Sequence, residues 1–132
     1  MSEPIVYIDR SEIREGKLEE VRKAAAELAD FVDTHEPQLL SYGFYINEEA
    51  GRMTVVAVHP DSASLELHME VAGPVFRKFA DLIELRAIEA YGRLSDKALS
   101  GLHQKALMLG ENGSVVVDEP YAGFTRFESA GS

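Results

Sequence analysis

The sequence predicts an α+β fold in which one antiparallel sheet carries its helices on a single face. Three observations predict it. The first 94 residues read, in order, as strand, helix, strand, strand, helix, strand; a Gly-containing loop of hairpin length joins the two middle strands; and the helices show a clear amphipathic period. That order is the ferredoxin-like split βαβ pattern. With 132 residues, 45% of them hydrophobic and 27% charged, the chain has material for one core. Residues 1–128 are therefore read as one domain, 95–127 as an added helix and strand, and 129–132 as a frayed tail.

Each element has its own signal. Ile5 to Ile8 is β-branched and aromatic, and Arg14-Glu15-Gly16 closes that segment before a helix begins. From Leu18, apolar residues at Val21, Ala24, Ala25, Leu28, Phe31 and Val32 form one face, and Pro37 sets an end near His35. Leu39–Ile46 and Met53–Val58 read as strands joined through Asn47–Gly51. Asp61 or Ser62 can cap a helix carrying Leu65, His68, Met69 and Ala72 on one side. Gly73-Pro74 is expected to break this helix, with Pro74 opening a second, short one that turns Phe76 and Phe79 inward. Ile83–Leu94 reads as the fourth strand. Ser95-Asp96 then starts a helix with Ala98, Leu99, Leu102, Ala106 and Leu109 at helical spacing and Gly110 as its stop. Val115–Val117 is a short strand, and Tyr121–Phe127 a last extended segment.

Charge and composition exclude several function classes. Lys plus Arg number 13 against 23 Asp plus Glu, a net charge of -10, which argues against nucleic acid or an anionic membrane as partner. The chain has no cysteine, so thiolate catalysis and Cys-ligated metals are excluded. Met1–Arg10 lacks the pattern of a secretory signal and no apolar run approaches the roughly 20 residues of a membrane span, so a cytoplasmic location is expected. No phosphate-cradling glycine loop and no Gly-x-Ser-x-Gly elbow is present. His59 and His68 stand nine residues apart and no Asp/His/Glu trio has a recognised spacing; no metal is expected. Ile5–Ile8 and Met53–Val58 are apolar at both parities, although a half-exposed antiparallel strand should alternate. The helices can cover only one face. The other needs a partner, and a second copy of the same sheet is the simplest, so a homodimer is expected.

Gly16 at the start of the first helix, Glu36-Pro37 before the second strand, Tyr42 and Tyr45 within it, and above all Asp61, Leu65 and His68 carry a resemblance. Over residues 5–94 the chain resembles the antibiotic-biosynthesis-monooxygenase-like domains of the dimeric α/β-barrel superfamily. It departs from them at His59, which stands where such domains have Trp. The resemblance implies two ferredoxin-like protomers with facing sheets, each with a mostly apolar cavity between sheet and helices. It also implies a cofactor-free oxidoreductase of the monooxygenase kind, acting on a small aromatic or quinol-like molecule. The alternatives are a non-enzymatic binding or structural dimer, and isomerase- or cyclase-type proton transfer. A haem-degrading role is disfavoured, because the chain has no Trp.

The candidate residues follow. His68 lies on the side of Leu65 and Ala72, where an imidazole could take a proton from a phenolic substrate; the alternative is one structural hydrogen bond. Tyr7, Tyr42, Tyr45 and Tyr91 lie on strands, and a tyrosine can line a cavity while directing one hydrogen bond, or simply pack. Tyr42 and Tyr45 have opposite parity, so only one faces the helices; analogy favours Tyr45 for the cavity, with Tyr7 as a further lining candidate. Arg86 must find an anion, either a substrate oxyanion or an acid such as Glu84 or Glu89. His59 stands at a strand end, as a packing or binding residue.

Overall fold

Alternation of inward and outward side chains fixes the sheet. The fold, described for residues 3–127 by a computed structural model, has the strands β1 (Ile5–Ile13), β2 (Ser41–Asn47), β3 (Arg52–His59), β4 (Ile83–Tyr91) and β5 (Ser114–Asp118). The helices are α1 (Leu18–His35), α2 (Ser62–Phe76) and α3 (Asp96–Leu109). The sheet order is β2-β3-β1-β4-β5, antiparallel throughout the first four strands. β5 joins β4 in parallel, which the crossover through α3 permits. The expected βαββαβ core is thus present, and the added helix and strand widen its sheet into a mixed one of five strands. Among the described residues, no helix is long and apolar enough to cross a membrane.

All three helices pack on one face. Val21, Ala25, Leu28 and Val32 of α1, Leu65, Ala72 and Phe76 of α2, and Ala98, Leu102, Ala106 and Leu109 of α3 bury against Ile5, Tyr7, Val55, Ala57, Leu85 and Ile88. Asp61 caps α2 by accepting from the Ser64 N–H at 2.9 Å, and Ser95 caps α3 by accepting from Ala98 N–H at 3.1 Å. Gly16, at φ +78°, turns the chain from β1 into α1.

Four expectations change. α2 runs unbroken through Gly73-Pro74 and ends in a 3-10 turn at Arg77–Phe79. Pro74 is exposed, so its ring and the hydrogen bond it forgoes lie on the wet side, while Ala72 and Phe76 stay anchored in the core. β1 continues five residues past Ile8. β4 stops at Tyr91, where Gly92 adopts φ +147°, rather than at Leu94. Tyr121–Phe127 makes no strand, and its side chains are exposed. The tail 129–132 lies outside the described residues.

Candidate active site between sheet and helices

The inner face of the sheet is apolar except along one path, where β1, β3, α2 and α3 bring polar side chains into the core. Parity along β1 turns Ile5, Tyr7, Asp9 and Ser11 inward, all of them buried. His59, the last residue of β3, and His68, on the buried stripe of α2, have no exposed surface. Glu36, which follows the last turn of α1, is buried as well.

His68 and Glu36 form a closed dyad: Nδ1 lies 2.9 Å from both carboxylate oxygens. An ionised carboxylate can only accept, so the proton sits on Nδ1 and the lone pair on Nε2. Burial lowers the His68 pKa despite the opposing pull of Glu36, so the imidazole is neutral at pH 7. His68 Nε2 is fully shielded and has no hydrogen-bond partner among the described residues. The ring is flanked by Tyr42 at 5.3 Å and by His59 and Phe76, each at 5.4 Å between centroids. His59 shares a 2.8 Å hydrogen bond through Nδ1 with Ser64 Oγ, and burial drives its pKa down to about 3.

Beside this dyad stands a second cluster. Lys105 of α3 donates from Nζ to Asp9 Oδ2 and to the Tyr7 hydroxyl, each at 2.7 Å, and Tyr7 donates to Asp9 Oδ2 at 2.7 Å. Nζ also lies 4.0 Å from the centre of the Phe76 ring. Burial, and then the Asp9 charge, push the Tyr7 pKa well above its ordinary value, so it remains a phenol. Ser11 Oγ, His59 Nε2 and His68 Nε2 are the buried side-chain polar atoms without partners among the described residues. Each such atom costs about 1–3 kcal/mol when left unpaired. All three belong to this one region, which makes it the candidate site.

Of the spaces that adjoin it, two share Tyr42. An inner cavity bounded by Asp9, Ser11, Tyr42, Phe44, Phe76 and Lys105, among others, has about 10 Å³ of free volume, room for roughly one water. An outer cleft of about 370 Å³ runs between the end of α1 and β2, lined by Asp33, Glu36, Leu39 and Tyr42. Tyr42 lines both. Burial pushes its pKa well above the ordinary value, so this wall too carries a neutral phenol.

Of the residues singled out by sequence, the structure brings His68, His59 and Tyr7 together and puts Tyr45 and Arg86 elsewhere. Tyr45 is on the outer face, 61% exposed, with its ring folded over Gly43; Tyr42 takes the inward position. Arg86 is the extra residue of a bulge in β4, where Ala87 pairs with Arg10 and Leu85 with Ser11. The bulge keeps Arg86 on the outer face, where it meets Glu12 and Glu84, each at 2.7 Å. Sequence reasoning missed Asp9, Ser11, Glu36 and Lys105 as site residues. One signal was present: Lys105 interrupts the apolar stripe of Leu102, Ala106 and Leu109, three residues after Leu102. Among the described residues no three His, Asp or Glu side chains converge as a metal would require.

No family model matches the sequence, and no curated protein matches it. Solved structures do. MupZ from Pseudomonas fluorescens superposes with a TM-score of 0.72 at 22% identity, covering 93% of this chain and 94% of that one. A candidate antibiotic biosynthesis monooxygenase from Caulobacter crescentus gives 0.61 at 19% identity over 67% of this chain and 88% of its own. SnoaB, a cofactor-independent oxygenase from Streptomyces nogalater, gives 0.59 at 14% identity over 72% and 96%. The chain has the fold of antibiotic-biosynthesis-monooxygenase-like proteins. The MupZ match takes in too much of the chain to leave out both α3 and β5.

Proposed function

We propose that the protein is a cofactor-free enzyme that removes a proton from a small, largely apolar aromatic or quinol-like substrate, with His68 as the base. The observation that carries this reading is the Nε2 lone pair of His68, held outward from the Glu36 carboxylate by the Nδ1 hydrogen bond and left without a partner in the core. A neutral imidazole in this setting is a ready proton acceptor, and Glu36 stabilises the imidazolium that forms. The resemblance to SnoaB supports oxygen as the second reactant. A quinol deprotonated at His68 is electron-rich enough to react with O₂ directly, giving a hydroxyquinone and water, with one oxygen atom in each product. Tyr42, between the outer cleft and the inner cavity, is the side chain that a substrate entering from the cleft must displace.

The Lys105–Asp9–Tyr7 cluster favours a second reading. A buried cation near a base suits proton transfer without oxygen, as in an isomerase or cyclase. Turnover of 1,4-naphthoquinol in a closed oxygen cell tests both. The first reading expects stoichiometric O₂ uptake and 2-hydroxy-1,4-naphthoquinone, lost at least about 100-fold in His68→Gln. Uptake equal to the uncatalysed rate in wild type would sink it. The acid limb of kcat/KM is expected below pH 6.5, since burial lowers the pKa of His68 and the base is lost only as pH falls through that lowered value.

The working unit we propose is a homodimer. The outer sheet face presents Val6, Ile8, Val56 and Val58, together with the exposed Tyr45, Tyr91 and Val116, and no element of the described chain covers it. Such a face on a five-stranded sheet fits a second copy.

A further inference from the structure

We propose that Lys105, carried into the core by α3, receives the oxygen of the substrate, and that with Ser11 it selects molecules whose apolar body ends in a phenolic or carbonyl oxygen. The inference rests on the reading of His68 as base and adds the group that acts opposite it.

Four observations converge. Lys105 is buried, and a lysine–carboxylate pair in a core is a poor device for stability alone, because desolvation of both ions offsets their attraction. Ser11 Oγ, two residues along β1 from Asp9 on the same face, is buried without a partner, and it lines the same cavity as Asp9 and Lys105. The other walls of that cavity, Phe44, Met53, Val55 and Leu85 among them, are apolar apart from Tyr42; its free volume of about 10 Å³ takes the oxygen end alone, and Tyr42 must move to seat the apolar body. Lys105 Nζ and the His68 ring both pack against Phe76, which puts cation and base beside one shared side chain.

The chemistry is balanced and needs no further reactant. His68 Nε2 takes a proton from an O–H, or from a C–H beside a carbonyl. The electron pair left behind settles on the substrate oxygen. Lys105 and Ser11 donate hydrogen bonds to that oxyanion, and the contact with Asp9 keeps the Lys105 amine aimed. In the reverse direction the same proton returns from His68.

The test compares binding of 1-naphthol with that of naphthalene, which has the same body and no oxygen, to wild type, Ser11→Ala and the double variant Lys105→Met/Asp9→Asn. Wild type should prefer 1-naphthol at least tenfold. Both variants should lose most of that preference while naphthalene affinity moves less than twofold. Ser11→Ala separates binding from architecture: its hydroxyl has no hydrogen bond to lose among the described residues, so its urea midpoint should not fall although its affinity for 1-naphthol does. Equal binding of the two probes by wild type overturns the proposal. A folded double variant that keeps the tenfold preference overturns it as well and reduces Lys105 to an anchor for α3. If the preference depends on Lys105 but naphthoquinol is not turned over, the oxygen-recognising site stands and the oxygenase reading fails.

Discussion

At the residue scale, the region is defined by polar groups that the core holds at a cost. His59 is neutral when folded, with its pKa driven to about 3, whereas the unfolded chain protonates it near 6.5. Between those values the unfolded state binds the extra proton, so stability falls as pH falls. The drop is about 1.4 kcal/mol per pH unit at its steepest, and His68 adds to it in the same direction. Urea midpoints at pH 7 and pH 5 should show this loss in wild type and a shallower one in His59→Gln; equal slopes would remove His59 as the cause. Lys105→Met alone leaves the Asp9 carboxylate buried without its counterion and with only the Tyr7 hydrogen bond, which should destabilise by about 3–5 kcal/mol, and adding Asp9→Asn should restore most of it. The inward placement of His68 was legible in sequence because it shares a stripe with Leu65 and Ala72. Asp9 and Ser11 were not: polar residues after Ile8 read as the end of the strand, and it is as inward positions of a longer strand that they furnish the site. The choice of Tyr45 over Tyr42 could not be made from parity alone, which says that the two oppose each other but not which faces the helices.

At the scale of elements, α3 is the addition that changes the chemistry of the core, and it is seated by a close approach. A Cβ on Gly110, directly after α3, would overlap the backbone carbonyl oxygen of Leu85. Gly110→Ala should therefore push α3 off β4, lower stability by about 1–3 kcal/mol and disturb the Lys105–Asp9 contact. A melting temperature equal to wild type would show that the approach relaxes freely. The helices were legible because their apolar period is long and their caps, Asp61 and Ser95, are standard. The Gly73-Pro74 break was not, since a tertiary anchor on both sides of an exposed proline overrides local preference. The β4 bulge was equally hidden. It depends on register with β1, and it is what sets Arg86 outside.

At the scale of the molecule, the order of elements agrees with the fold match, and the doubly apolar strands are what support the partner proposed for the outer face. Sedimentation at micromolar concentration should give a dimer, and Val56→Lys should produce a folded monomer; a wild-type monomer would contradict the assignment of the outer face. The net charge of -10 resides largely outside the core, whereas the inner cluster sets Asp9 against Lys105 and leaves Glu36 for the proton that His68 gains. Under the proposed function these groups would take up a proton on one side and face an oxyanion on the other.

The central claim, a neutral His68 whose free lone pair is on Nε2, can be tested without a substrate. In ¹⁵N-labelled protein at pH 7, with the resonances assigned by their loss in His68→Gln, the imidazole should carry its proton on Nδ1 and none on Nε2. A protonated Nε2, or a doubly protonated ring, would contradict it and leave the site without its base.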